Sequence, residues 1–286
     1  MSRPTAGAER LVVHGGFPAV APRLGRAVPW VLVGATVLVQ IVYPLMPDAL
    51  RTEITVASVL VFCAAALADA GRVHGLRGAA VLLAVAGGGG LLVEAVGVHT
   101  GLPFGAYAYT GDLGAEVLGV PAVVPLAWTM MAWPALVVGR TLARRVPVAL
   151  VGGAALAAWD LFLDPQMVDA GHWTWAHPDP GLPLVPGVPL TNYGGWLLVS
   201  VVMIGALDRL LPRHTAPSGP AAALYLWTYG SSVLAHVVFF DRPGSALIGG
   251  LVMGTLAVPF AWVLWTTAPR TARTARTART RRDQSA

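Results

Sequence analysis

Eight apolar stretches, at about 28–47, 53–70, 78–98, 121–139, 147–164, 193–211, 221–240 and 245–266, take up most of this 286-residue chain. A bilayer core needs about 20 apolar residues for each helical crossing, and most of these runs have that length; the second and fifth are slightly short. In lipid a segment must satisfy its own backbone hydrogen bonds, and a lone helix does so. The pattern therefore predicts an all-α membrane protein, an eight-helix transmembrane bundle. Composition agrees, with 56% hydrophobic residues, 12% charged residues and a mean hydropathy of +0.66. An ordinary globular chain carries about a quarter charged residues, so this one cannot clothe a soluble surface. The expected organisation is an N-terminal cytoplasmic tail over 1–27, one membrane domain over 28–266, and a disordered basic tail over 267–286.

Charge placement gives the orientation. All 19 basic residues are arginine. With the N-terminus inside, 17 of the 19 fall on the cytoplasmic side, and only Arg51 and Arg242 lie outside, each near an acid, Glu53 and Asp241. The positive-inside rule favours that arrangement, with both termini cytoplasmic and the protein in the cell membrane. Ala, Gly, Pro, Val and Arg are over-used together, so the net charge of +5 reflects coding bias, and no nucleic-acid partner is expected. The Thr-Ala-Arg repeat from Thr271 to Thr280 has no apolar partner and cannot fold alone; it suits anionic lipid. Cys63 is the single cysteine, so no intrachain disulfide forms.

Two outer loops, about 99–120 and 165–192, are aromatic and nearly free of basic residues, and they align. Glu94 is followed by Gly105, Tyr107 and Tyr109, then Gly119-Val120-Pro121 and Trp128. Asp160 is followed at matching spacing by Gly171, Trp173 and Trp175, then Gly187-Val188-Pro189 and Trp196, with two extra residues in mid-loop. Both units run helix out, loop, helix back, so they predict two parallel internal repeats about an axis along the membrane normal, a known way to build a shared site. Alternation in Gly105–Tyr109 and Gly171–Trp175, with turn signals at Gly111-Asp112 and Asp179-Pro180-Gly181, predicts short outer β-hairpin loops. An aromatic belt at the interface would account for the same rings without a ligand.

The acids carry the chemistry. Glu94 lies about 16 residues into its helix, roughly 24 Å of rise, and Asp160 at similar depth. Carboxylates there are costly and face a cavity or a partner, and in so poor a solvent for charge a carboxyl can hold a proton at neutral pH. Asp164, one turn after Asp160, falls on the same helix face, although Asp164-Pro165 also reads as a helix exit. None of the seven histidines forms the paired spacing of a membrane di-iron site; His236 reads equally as a packed polar residue or a proton relay. No phosphate loop, dinucleotide fingerprint or nucleophile elbow occurs.

At these motifs the chain resembles the carotenoid biosynthesis hydratases, the family of carotenoid 1,2-hydratases of the CruF type and bisanhydrobacterioruberin hydratase. The resemblance rests on Pro103-Phe104-Gly105 with Tyr107-Ala108-Tyr109, Gly119-Val120-Pro121 through Trp128, and Trp159-Asp160 with Asp164-Pro165-Gln166-Met167. It continues in Gly171-His172-Trp173-Thr174-Trp175 and in Gly187-Val188-Pro189-Leu190-Thr191-Asn192 with Gly195-Trp196, and it covers about residues 30–266. It implies addition of water across the terminal double bond of an acyclic or monocyclic carotenoid, with the bilayer and other membrane enzymes of the pathway as partners. No cofactor and no metal are implied.

The residues suit that chemistry. A carboxylic acid delivers a proton, aromatic faces stabilise the tertiary cation, and a polar group orients the water. Asp160 is expected to be the general acid with Glu94 as its partner, the reverse assignment staying open, and Asp164 as a third acid. The other acid, Asn192 or Tyr193 orients the water. Tyr107, Tyr109, Trp128, Trp159, Trp173, Trp175 and Trp196 line the end-group pocket. Two alternatives stand beside this one. A membrane lycopene-type cyclase shares the protonation step, and a proton-coupled transporter would also place acids on a repeat axis, but no polar stripe leads inward from Glu94.

Overall fold

The computed structural model describes residues 21–214 and 216–283; the first twenty residues of the expected N-terminal tail and the last three of the chain lie outside them. Among the described residues there are eight α-helices: α1 (Ala21–Val42), α2 (Arg51–Leu82), α3 (Gly89–Thr100), α4 (Val123–Leu142), α5 (Val148–Asp169), α6 (Leu190–Leu210), α7 (Gly219–Val238) and α8 (Pro243–Asp283). Seven helical stretches among the described residues are long and apolar enough to cross a membrane, the last of them Pro243–Thr267 within α8. The protein is a multi-pass, all-α membrane bundle.

One of the seven is 50 residues long, Arg51–Thr100. It contains α2, a single wide turn at Leu83–Gly88, and α3. A straight helix of that length would extend about 75 Å, more than twice the bilayer core. It is not straight. Gly75 has φ 72° and ψ −179°, a conformation that only glycine adopts readily. The chain doubles back there: a Cβ on Gly78 would stand 3.3 Å from the carbonyl oxygen of Ala70, eight residues earlier. This reversal falls where the apolar pattern is interrupted, between residues 70 and 78.

Burial sets the layering. In the α4 span 78% of residues are buried, against 22% for α1 and α8, so α4 is the central helix and α1 and α8 are peripheral. Small residues allow the helices to close up, as membrane packing requires; a Cβ on Gly139 of α4 would meet the Gly152 Cα of α5 at 2.9 Å. Leu38, Leu198, Val202, Leu251 and Val258 are exposed on the outer faces, apolar groups suited to lipid. Ion pairs tie the helix ends. Asp208 of α6 accepts from Arg140 of α4 at 2.9 Å and from Arg213 at 2.5 Å, and at the opposite end Arg242 pairs with Asp169 of α5 rather than with the adjacent Asp241.

The outer loops differ from expectation in one respect. The strands expected at 105–109 and 171–175 do not form separate hairpins. Instead β1 (Tyr107–Tyr109) pairs antiparallel with β4 (Trp173–Trp175), in the register Tyr107↔Trp175, Ala108↔Thr174 and Tyr109↔Trp173. Hydrogen bonds continue on either side, from Thr110 N–H to the His172 carbonyl at 3.1 Å and from Ala176 N–H to the Ala106 carbonyl at 2.8 Å. The two bonds exchange when the two loops are exchanged. Hairpins do occur, but they are built from other residues: β2 (Glu116–Val117) with β3 (Val120–Pro121), and β5 (Gly181–Leu182) with β6 (Val185–Pro189). Three-residue runs of alternating polarity favour a partner without naming it, and pairing loop to loop lets Tyr107, Trp173 and Trp175 cover one roof together. His172, itself buried, bonds Asp112 through Nδ1 at 2.7 Å and fastens the loops a second time.

Candidate active site

A cavity of about 190 Å³ lies under the β1–β4 roof. A cavity of about 150 Å³ takes a benzene-sized molecule, so this one has room for a branched end group. The GVP segments end in β3 and β6 and lead directly into α4 and α6, which fixes Trp128 and Trp196 one to two turns below the roof. Their indoles stack with centroids 3.9 Å apart and planes at 13°, and Trp159 of α5 meets Trp196 edge-on at 6.1 Å. Above them Tyr107 lies against Trp175 and Tyr109 against Trp173, both at 5.7 Å.

Glu94, on α3, is buried and fully engaged. Its Oε2 accepts from Tyr107 Oη at 2.5 Å and Tyr109 Oη at 2.9 Å, and its Oε1 accepts from Trp128 Nε1 at 2.9 Å. Burial, and after it the Glu94 carboxylate, pushes both phenols above the ordinary tyrosine value of about 10. They therefore stay protonated and act as donors, which gives these bonds their direction.

The second acid site is differently made. Pro165 does not end α5, which continues to Asp169; proline removes one backbone N–H donor, yet the helix still carries Asp164 on a rigid element. Asp164 accepts from Trp173 Nε1 at 3.1 Å and from the Asn192 amide, and that same amide nitrogen also donates to Asp160 Oδ2 at 2.9 Å. Asp160 is wholly buried, and its Oδ1 meets no N–H donor; the neighbouring polar group is the Asp164 carboxyl. Two carboxyls thus share one amide, with no cation in the cluster among the described residues.

The residues singled out from sequence are placed unevenly. Glu94, Asp164, Tyr107, Tyr109, Trp128, Trp159, Trp173, Trp175, Asn192 and Trp196 all line the cavity. Asp160 and Tyr193 do not: Asp160 stands one helical turn behind Asp164, and the buried Tyr193 hydroxyl has no hydrogen-bond partner. His236 packs between α7 and α5, its Nε2 3.1 Å from the Phe162 carbonyl and its Nδ1 2.9 Å from the Ser232 carbonyl. Sequence reasoning missed a polar part of the wall, contributed by Gln40, Thr55, Ser58, Thr228, Ser231 and Ser232. Its signal was available, as hydroxyls recurring three and four residues apart in otherwise apolar spans.

A family model described as carotenoid biosynthesis protein matches residues 53–237, well over half of the chain. Over 122 residues the chain is 35% identical to a bisanhydrobacterioruberin hydratase of Haloarcula japonica. That alignment takes in 41% of this chain and 40% of the relative, so the chain spans less than half the length of the curated protein that it matches. No solved structure matches.

Proposed function

This chain belongs to the carotenoid biosynthesis protein family, and from that premise we propose that it hydrates the terminal double bond of an acyclic carotenoid end group, using its own carboxyls and no cofactor. One observation carries the proposal: two acid sites of unlike character close a single aromatic chamber in a membrane bundle. Hydration of a trisubstituted alkene has three steps. A proton adds to the less substituted carbon and leaves a tertiary cation, water adds to the cation, and the resulting oxonium returns a proton.

Glu94 already accepts three hydrogen bonds, which makes it a poor donor, so it holds the phenols and presents fixed negative charge to the cation. The labile proton is held between Asp160 and Asp164 and leaves from Asp164, the member on the cavity wall. Asp160, placed behind, restores it. The stacked Trp128–Trp196 pair offers a ring face to the cation. Asn192 fixes both carboxyls and orients the incoming water. The polyene leaves the chamber between helices into lipid.

The architecture behind this is an eight-crossing bundle, the reversal at Gly75 dividing the 50-residue stretch in two, with both termini cytoplasmic. The β1–β4 register, unchanged on exchange of the loops, supports the two parallel repeats. The test is expression in a host that accumulates an acyclic carotene, with mass analysis of the pigments. Products heavier by one water or two are expected. An isomer of unchanged mass would indicate a cyclase that shares the protonation step, and unaltered pigment would refute the reading.

A further inference from the structure

A hydrocarbon end group has no use for the polar residues in the cavity wall. Part of the cavity wall is built by α1, α2 and α7, each presenting one helical face: Thr55 and Ser58 on α2, Thr228, Ser231 and Ser232 on α7, and Gln40 on α1. Spacings of three and four residues put each set on one side of its helix, so the polar groups converge on a single arm. Gln40 is locked in place, its Oε1 accepting from Trp227 Nε1 at 2.7 Å while its Nε2 donates to Ser58 Oγ at 3.2 Å. Thr55 and Thr228 donate their protons to carbonyls of their own helices, Arg51 at 2.8 Å and Leu224 at 2.8 Å. Their oxygens keep lone pairs free to accept. Tyr43 and Phe240 line the same cavity and meet edge-on at 5.9 Å.

We propose that this arm is a water-binding channel, leading from the outer surface beside Tyr43 and Phe240 to the acid chamber and delivering the water that captures the carotenoid cation. The inference rests on the hydratase reading and adds to it a site and a ligand. A buried polar cavity holds water when each molecule finds two to four partners. Hydroxyl oxygens from α2 and α7 on facing walls, with the free Ser58 proton, supply them. The two reactants then enter by different routes, the polyene between helices from lipid and the water from the α2–α7 side. The balance is complete, since the alkene gains the proton from the aspartate pair, water adds through oxygen, and the oxonium proton returns to the pair.

The test uses the full chain in lipid nanodiscs with an acyclic carotene in deuterium oxide, comparing wild type with the triple variant Ser58→Ala, Thr228→Val, Ser231→Ala. These substitutions keep volume nearly constant and touch neither acid. A channel that supplies water predicts a split. Hydration falls about tenfold, an amount corresponding to about 1.4 kcal/mol, while deuterium still enters the end group of recovered carotene, because the cation forms and loses a proton instead of capturing water. Hydration and exchange falling together, or hydration unchanged in the variant, would overturn the channel. A wild type that neither hydrates nor exchanges refutes the hydratase reading itself, and the channel with it.

Discussion

The two acid sites occupy corresponding places in the two aromatic units, yet they are wired in opposite ways. Glu94 sits under the first loop, saturated by two phenols and an indole. The site at Asp160 and Asp164 has two carboxyls and a shared asparagine amide, with one oxygen meeting no N–H donor. A carboxylate fully supplied with donors is a fixed charge; a pair short of donors holds a mobile proton. On this account the first aromatic unit supplies scaffold and the second supplies acid, and the cavity between them uses both properties.

The comparison can be broken at its reactive side first. Asp160→Asn removes the residue that shares the proton with Asp164, and hydration is expected to fall at least about 100-fold, the usual scale for loss of an acid–base group, with membrane insertion unchanged on blotting. Glu94→Gln probes the scaffold side. It leaves an amide among three donors, so the account expects a smaller loss of activity, about tenfold, together with a lower unfolding temperature, since buried donors without acceptors cost about 1–3 kcal/mol. Equal effects of the two substitutions on rate and stability would erase the distinction between the sites. The mildest test touches no rate. Burial and Glu94 hold the Tyr107 and Tyr109 phenols above the ordinary range, so in ultraviolet titration to pH about 10.5, past the free-tyrosine midpoint of about 10, both stay protonated. Early ionisation of either would show that the roof is wet.

Much of the bundle was legible in the sequence because lipid imposes a simple demand, one apolar run for each crossing. Even the reversal at Gly75 appeared as an interruption in the apolar pattern. The pairing of β1 with β4 was not legible, because three-residue strands carry too little alternation to specify a distant partner over a neighbouring turn. At the site, spacing brought Glu94, Trp128, Trp196 and both aromatic pairs to one place. It chose Asp160 as the acid where Asp164, one helical turn on, is the carboxyl on the cavity wall, and it did not foresee that α5 would run through Pro165. The stripes at Thr55, Ser58, Thr228, Ser231 and Ser232 were visible but went unread, since single hydroxyls in a membrane helix are commonplace until a second helix faces them.

Asp164 carries the central claim, as the carboxyl that both stands on the cavity wall and shares Asn192 with a second acid. Its most direct test is Asp164→Asn in a host producing an acyclic carotene, with pigment masses compared with wild type at matched membrane levels. The account predicts carotene left unhydrated by the variant and a product heavier by water from wild type. Hydrated pigment at wild-type yield from Asp164→Asn would contradict it.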